Sequence, residues 1–107
     1  MPSKPILIIN AQDCPPEKEN EFNDYYNRHA SALFKFKGLK NITRYKRVDK
    51  EGNAPRFFAL YYFDSQKDYD DYMASPERGE GMKVTGRPEG PKVQFRALYE
   101  LIKEWER

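Results

Sequence analysis

This chain predicts an α+β fold with elements in the order β-α-β-β-α-β, and three observations carry that prediction. Two short runs, ILII at 6–9 and FFALYYF at 57–63, are apolar on both faces, as strands covered on both sides are. The stretch 22–36, FNDYYNRHASALFKF, repeats its apolar residues every three or four positions, the spacing of a helix lying on a core. A second helical stretch follows the aromatic strand behind a Ser-x-x-Asp start.

Taken in order, residues 5–10, PILIIN, form the first strand, closed by the turn-like AQDCPP. Pro15 and Pro16 open the long helix, where missing N–H groups cost little. Glu17, Glu19 and Glu21 suit the positive end of its macrodipole, Lys35 and Lys37 the negative end, and Gly38 the C′ position. Phe22, Tyr26, His29, Leu33 and Phe36 share one face of this helix, so the single histidine is aimed at whatever the helix packs against. Residues 41–48, NITRYKRV, are the second strand, DKEGNAP a turn built on Gly52 and Asn53, and 56–63 the third strand. Ser65 and Asp68 frame the start of the second helix, which turns Tyr69, Tyr72 and Met73 inward and stops before Pro76.

Residues 76–91 hold four of the six glycines and three of the eight prolines, and are expected to be irregular, a lid or an arm. In the last stretch Val93, Phe95, Ala97, Tyr99 and Leu101 alternate as in a strand, while Phe95, Leu98, Leu101 and Trp105 also fit a helix. The strand is chosen, because it completes a four-stranded antiparallel sheet. The result is a ferredoxin-like arrangement over a single domain, 1–107, with two helices on one face of the sheet. Helices cover one face only, so strands apolar on both faces leave a patch that a second copy would close. The expected assembly is a twofold homodimer packed sheet to sheet.

Composition narrows the function. With 34% charged residues but a net charge of +2, the chain lacks the basic excess of an electrostatic nucleic-acid binder. Its 15% aromatic content suits a cavity with polar-tipped walls, and equally an aromatic core with surface tyrosines. Cys14 is the single cysteine, so neither an intrachain disulfide nor a Cys-based zinc site can form. The apolar run near the N-terminus is too short for a signal peptide or a membrane span, and a cytoplasmic protein with no membrane partner is expected.

The run EFNDYYNRHASALFKFKGLKNITRY, then PRFFALYYFDS and YMASPE, resembles the EthD-like family of the dimeric α+β barrel superfamily. The matching positions are Phe22, Tyr26, His29, Gly38, Leu39, Arg44, Tyr45, Ala59, Leu60, Tyr61, Asp64, Ser65, Ser75, Pro76 and Glu77, within residues 5–77. The resemblance implies a dimeric α+β barrel with a small cavity between helices and sheet. It further implies relatives that are accessory proteins of ether degradation, cofactor-free enzymes on phenolic polyketides, oxygenases of quinol-like compounds, or haem binders. This chain has one histidine where some relatives carry an adjacent pair.

His29 and Tyr26 are the expected catalytic pair. An imidazole with a pKa near ~6.5, partly desolvated, can act as a general base near neutrality. A lone histidine on an apolar face is also what a satisfied core residue looks like. Tyr45, Tyr61, Arg44, Phe22 and Leu33 are the expected substrate contacts, Tyr45 and Tyr61 favoured by the family-like pattern, with core or dimer packing as their alternative role. Arg44 or Arg47 would face an enolate or phenolate. Cys14, just ahead of a helix start, is expected to be a passive surface thiol. No metal and no cofactor are expected. The ligand is a small apolar or aromatic compound, handled by a cofactor-free enzyme of the oxygenase, decarboxylase or isomerase type, or held by a non-catalytic accessory dimer.

A rival reading is an RNA-recognition motif, which shares this element order. RFFALYYF falls where its aromatic strand should be, but Leu60 and Leu7 stand where two of its three base-stacking rings belong. Stacking is worth ~1–3 kcal/mol per base, so RNA is not the expected partner.

Overall fold

The computed structural model describes residues 6–49 and 52–107. Strand β1 spans Ile6–Asp13, helix α1 Glu19–Leu33, β2 Leu39–Lys46, β3 Phe57–Phe63, helix α2 Gln66–Met73, helix α3 Pro76–Met82 and β4 Lys92–Glu100. The four strands form one antiparallel sheet in the order β2-β3-β1-β4, with the helices on one face. This is the ferredoxin-like α+β fold, and the choice of a strand for the last stretch holds.

The alternation of each strand sorts its residues between two surfaces. Ile8 pairs with Tyr61 and Tyr61 with Ile42, facing the helices, while Ile9, Leu60 and Thr43 form the next rung on the opposite face. Along β3, Phe57, Ala59, Tyr61 and Phe63 are buried, whereas Phe58, Leu60 and Tyr62 stay partly exposed. Helix α1 supplies Phe22, Tyr26 and Leu33 to the core, and α2 supplies Tyr72, which packs on Phe63 and Phe36 at ring separations of 5.3 and 5.8 Å. Glu19 fixes the start of α1 to the sheet through ion pairs with Lys46 and Arg56, each at 3.0 Å.

Several boundaries move. β1 runs on through the expected turn to Asp13, with a register shift against β4 at Ala11/Gln12, because Ala11 and Gln12 find ladder partners on both sides and Asp13 pairs with Lys92 of β4. Pro16–Lys18 form a 3-10 turn, and α1 closes at Phe34, whose N–H donates to the Ala30 carbonyl. Lys35, Lys37 and Gly38 therefore lie past the helix, and Gly38 leads into β2. The side chain of Ser65 caps α2 by accepting from the Asp68 N–H at 3.1 Å, as expected. Of the turn at 49–55, Gly52 has the positive φ of 74° expected of it, while Lys50 and Glu51, like Pro5, lie outside the described residues.

The largest correction concerns 76–91. Residues 76–82 form α3: Ser75 caps it by accepting from the Arg78 N–H at 3.1 Å, and Pro76 occupies its first turn. Only 83–91 is irregular, and it lies along α1, where Arg28 donates to the Thr85 carbonyl at 2.8 Å. Cys14 is also corrected. It is buried rather than a surface thiol, and burial raises its pKa.

Among the described residues no helix is long and apolar enough to cross a membrane.

Candidate functional site

Between α1, α3 and the helix-facing side of the sheet lies a cavity of about 240 Å³. Its closed end is made by Phe22, Tyr26 and Leu33 of α1, Tyr61 of β3, and Asn10 and Gln12 of β1. Its open end lies over β4, which no helix covers, among Met82, Arg87, Val93 and Arg96. The gradient is steep: Phe22 is 0% exposed, Met82 62% and Val93 51%.

His29 reaches this cavity from the middle of α1. Its Nδ1 lies 2.6 Å from the Gly81 carbonyl oxygen of α3. A carbonyl can only accept, so Nδ1 carries the proton and the neutral ring keeps its lone pair on Nε2. The approach depends on Gly81: a Cβ there would stand 2.3 Å from Leu33 Cδ2. Two tyrosines hold the imidazole plane, Tyr25 stacked at 5.7 Å between ring centroids and Tyr26 edge-on at 5.3 Å. Burial pushes the His29 pKa down, the Gly81 contact pulls it up, and nearby Arg87 pushes it down further. The ring is therefore neutral at physiological pH, the form a proton acceptor requires.

Next to it, the hydroxyls of Tyr26 and Tyr61 share a hydrogen bond at the closed end, and the Asn10 side chain hydrogen-bonds Tyr26. Burial raises the Tyr26 pKa well above the ordinary phenol range, against the lowering effect of the Arg44 guanidinium, so Tyr26 stays a neutral hydroxyl. Two acceptors remain without a partner although they are shut off from solvent: Asn10 Oδ1 and Gln12 Oε1. Buried polar atoms are almost always satisfied, so this end of the cavity is chemically incomplete.

The structure thus brings together His29, Tyr26, Tyr61, Phe22 and Leu33. It does not bring in the other two expected contacts. Tyr45 follows Arg44 on β2 and so points to the opposite sheet face, where it is 58% exposed. Arg44 stands behind the cavity wall, its guanidinium 4.4 Å from the Tyr26 ring centroid and flanked by Phe22 and Phe57, with Nη1 donating to Asn23 Oδ1 at 2.8 Å. It reaches the site only from behind, through the rings of Tyr26 and Phe22.

Sequence reasoning missed Asn10, Gln12, Tyr25, Tyr72, Arg78, Arg87 and Arg96, all on the cavity wall. Asn10 already lay on the Ile6–Ile8 face of the expected strand, and Gln12 was within reach of the same period-2 count had the strand not been ended at residue 10. The arginines come from α3, the segment after it and β4, and no spacing in the chain signals that they converge.

No family model matches the sequence, and no curated protein does. Solved structures do match in fold. A heme-degrader from Mycobacterium tuberculosis, solved with two hemes in its active site, is 16% identical over 95% of this chain and 100% of its own, with a TM-score of 0.73. A variant of SnoaB, a cofactor-independent oxygenase from Streptomyces nogalater, is 12% identical over 98% and 100%, with a TM-score of 0.72. An ethyl tert-butyl ether D (EthD) family protein from Bacillus halodurans is 18% identical over 92% and 99%, with a TM-score of 0.68. The chain shares their ferredoxin-like α+β fold, the fold that its resemblance to EthD-like proteins implies.

Proposed function

We propose that this chain is an EthD-like, cofactor-free enzyme that moves a proton on a small aromatic compound held between helices and sheet. One observation carries the reading: His29 donates through Nδ1 to the Gly81 carbonyl, which leaves Nε2 as a base on the wall of a cavity with unsatisfied acceptors. A substrate hydroxyl, or an acidified C–H, loses its proton to Nε2. The imidazolium so formed keeps Gly81 as its acceptor, and the anion left on the substrate lies in the field of Arg87. Tyr26 and Tyr61, neighbours across the closed end, orient the substrate by hydrogen bonding.

Size favours a single ring. At about 240 Å³ the cavity lies below the ~300 Å³ at which pockets for drug-sized ligands begin. The outer sheet face supports a sheet-to-sheet homodimer: Leu7, Ile9, Phe58, Leu60, Tyr62, Phe95 and Tyr99 share it with no helix above them. A reducing cytoplasm is the setting that suits a chain with one cysteine, buried and unpaired.

The test is native mass spectrometry of the protein as purified from cells, alongside His29→Asn, which keeps an N–H near the Nδ1 position and removes Nε2. The expected spectra show two 12.7 kDa chains, each with a retained small molecule, and a different retained mass on the variant, which holds unconverted substrate. Equal retained masses would overturn the catalytic part, and empty chains in both would overturn the ligand site.

A further inference from the structure

The charge around this cavity is one-sided. Arg78 of α3, Arg87 and Arg96 of β4 all line it, and no aspartate or glutamate does. None of the three guanidinium groups belongs to an ion pair among the described residues, although lysines and arginines elsewhere do pair, as in Lys40–Asp64 and Arg56–Glu19. Among the described residues Arg87 donates only to the Pro91 carbonyl, Arg96 contacts the Met73 sulfur at 3.9 Å, and the Arg78 side chain has no hydrogen-bond partner. The three come from separate elements and all line the cavity: Arg96 is the ladder partner of Asn10, and Arg87 lies close enough to His29 to act on its charge. Arg44 adds a fourth cation behind Tyr26. In a cavity with low-dielectric aromatic walls such a field concentrates anions, and guanidinium forks match carboxylates bidentately.

The closed end asks for the opposite chemistry. Gln12 is 5% exposed, its Oε1 and the Oδ1 of Asn10 are unpaired, and both can only accept. A ligand that satisfies both groups carries an anion for the arginines and a hydrogen-bond donor for the floor.

We propose that the ligand is a hydroxylated single-ring carboxylate, its carboxylate among Arg78, Arg87 and Arg96 and a ring hydroxyl donating to Asn10 Oδ1 or Gln12 Oε1. This rests on the reading of the cavity as the ligand site, and it adds the substrate class.

The test is isothermal titration of the full chain with 4-hydroxybenzoate and with 4-hydroxybenzamide, which has the same shape and no charge. The acid is expected to bind at least tenfold more tightly, and raising salt should narrow the gap. Arg78→Gln combined with Arg96→Gln should remove most of that tenfold while weakening the amide far less, and Arg→Lys at both positions should restore part of it. Circular dichroism of each variant separates lost binding from lost folding. Equal affinity for acid and amide would overturn the anionic inference and leave the small-molecule reading standing. Acid binding untouched by the glutamine variants would overturn the assignment to these arginines. No binding of either probe would overturn both.

Discussion

His29 and Gly81, fifty-two residues apart in the chain, meet at 2.6 Å across the contact between α1 and α3. One partner is a titratable ring and the other a backbone carbonyl, so the tautomer of the only histidine is set by where a short helix lies. Everything proposed for the site depends on that placement.

Stability should depend on pH through His29. Burial, the largest influence, lowers its pKa in the folded chain from the ordinary 6.5. The unfolded chain then binds the proton more readily, so the stabilisation is fully present above pH 6.5 and fades as pH falls through the folded value. Urea midpoints of the wild type should drop over that window, and His29→Asn should flatten the drop. Parallel curves for the two proteins would contradict the assignment.

Gly81→Ala is expected to destabilise the fold by about 1–3 kcal/mol, the usual cost of overpacking. The new Cβ would meet Leu33 Cδ2 at 2.3 Å and Cγ at 2.8 Å, so α3 must move away from α1. The carbonyl moves with it, and the contact that raises the histidine pKa weakens. Thermal denaturation reads the first effect. NMR titration of the imidazole reads the second, as a further downward shift.

Tyr26→Phe should cost about 1–3 kcal/mol, because it leaves the Tyr61 hydroxyl buried without its partner. Tyr61→Phe should cost a similar amount. The double variant should cost less than the two added together, since neither hydroxyl is then stranded. Chemical denaturation of the four proteins measures this, and strict additivity would mean that the two hydroxyls do not interact.

Leu60→Glu places a charge in the middle of the outer sheet face, opposite Ile9 and Thr43. If a second copy covers that face, sedimentation should fall from two chains to one of 12.7 kDa while the circular dichroism spectrum stays unchanged. A wild type that already sediments as one chain would remove the dimer from the account.

How much of this could be seen in the residues alone varies by element. The strand 57–63 and the stripe Phe22, Tyr26, Leu33 were legible, because apolar periodicity reports burial directly. Residues 92–100, exposed along nearly all their length, fitted strand and helix alike and were assigned only because the sheet needed a fourth strand. Phe36, at the end of that stripe, is past the helix, since the backbone leaves helical hydrogen bonding at Phe34 whatever the pattern of side chains. Helix α3 was hidden by its glycines. Gly79 and Gly81 argue against a helix on propensity, yet Ser75 and Pro76 are a sound helix start, and the space beside Leu33 admits nothing larger than a glycine at 81. Packing decided there, and propensity gave way. Tyr45 shows the complementary limit. Both sheet faces are aromatic, so composition could not tell which one backs the cavity, and only the register of β2 against β3 assigns it.

That register has a last consequence, carried by β3. Tyr61 closes the cavity from one side of the strand, while Leu60 and Tyr62, its neighbours in the chain, belong to the outer face. The strand is a partition with a room on either side and no thickness to spare. If a second copy covers the outer face, a substitution that improves that fit also shifts the backbone that carries the Tyr61 hydroxyl. Chemistry and assembly therefore cannot drift apart along this strand. A lineage that remodels one must retune the other, and variants selected for tighter association should reveal themselves by altered ligand preference.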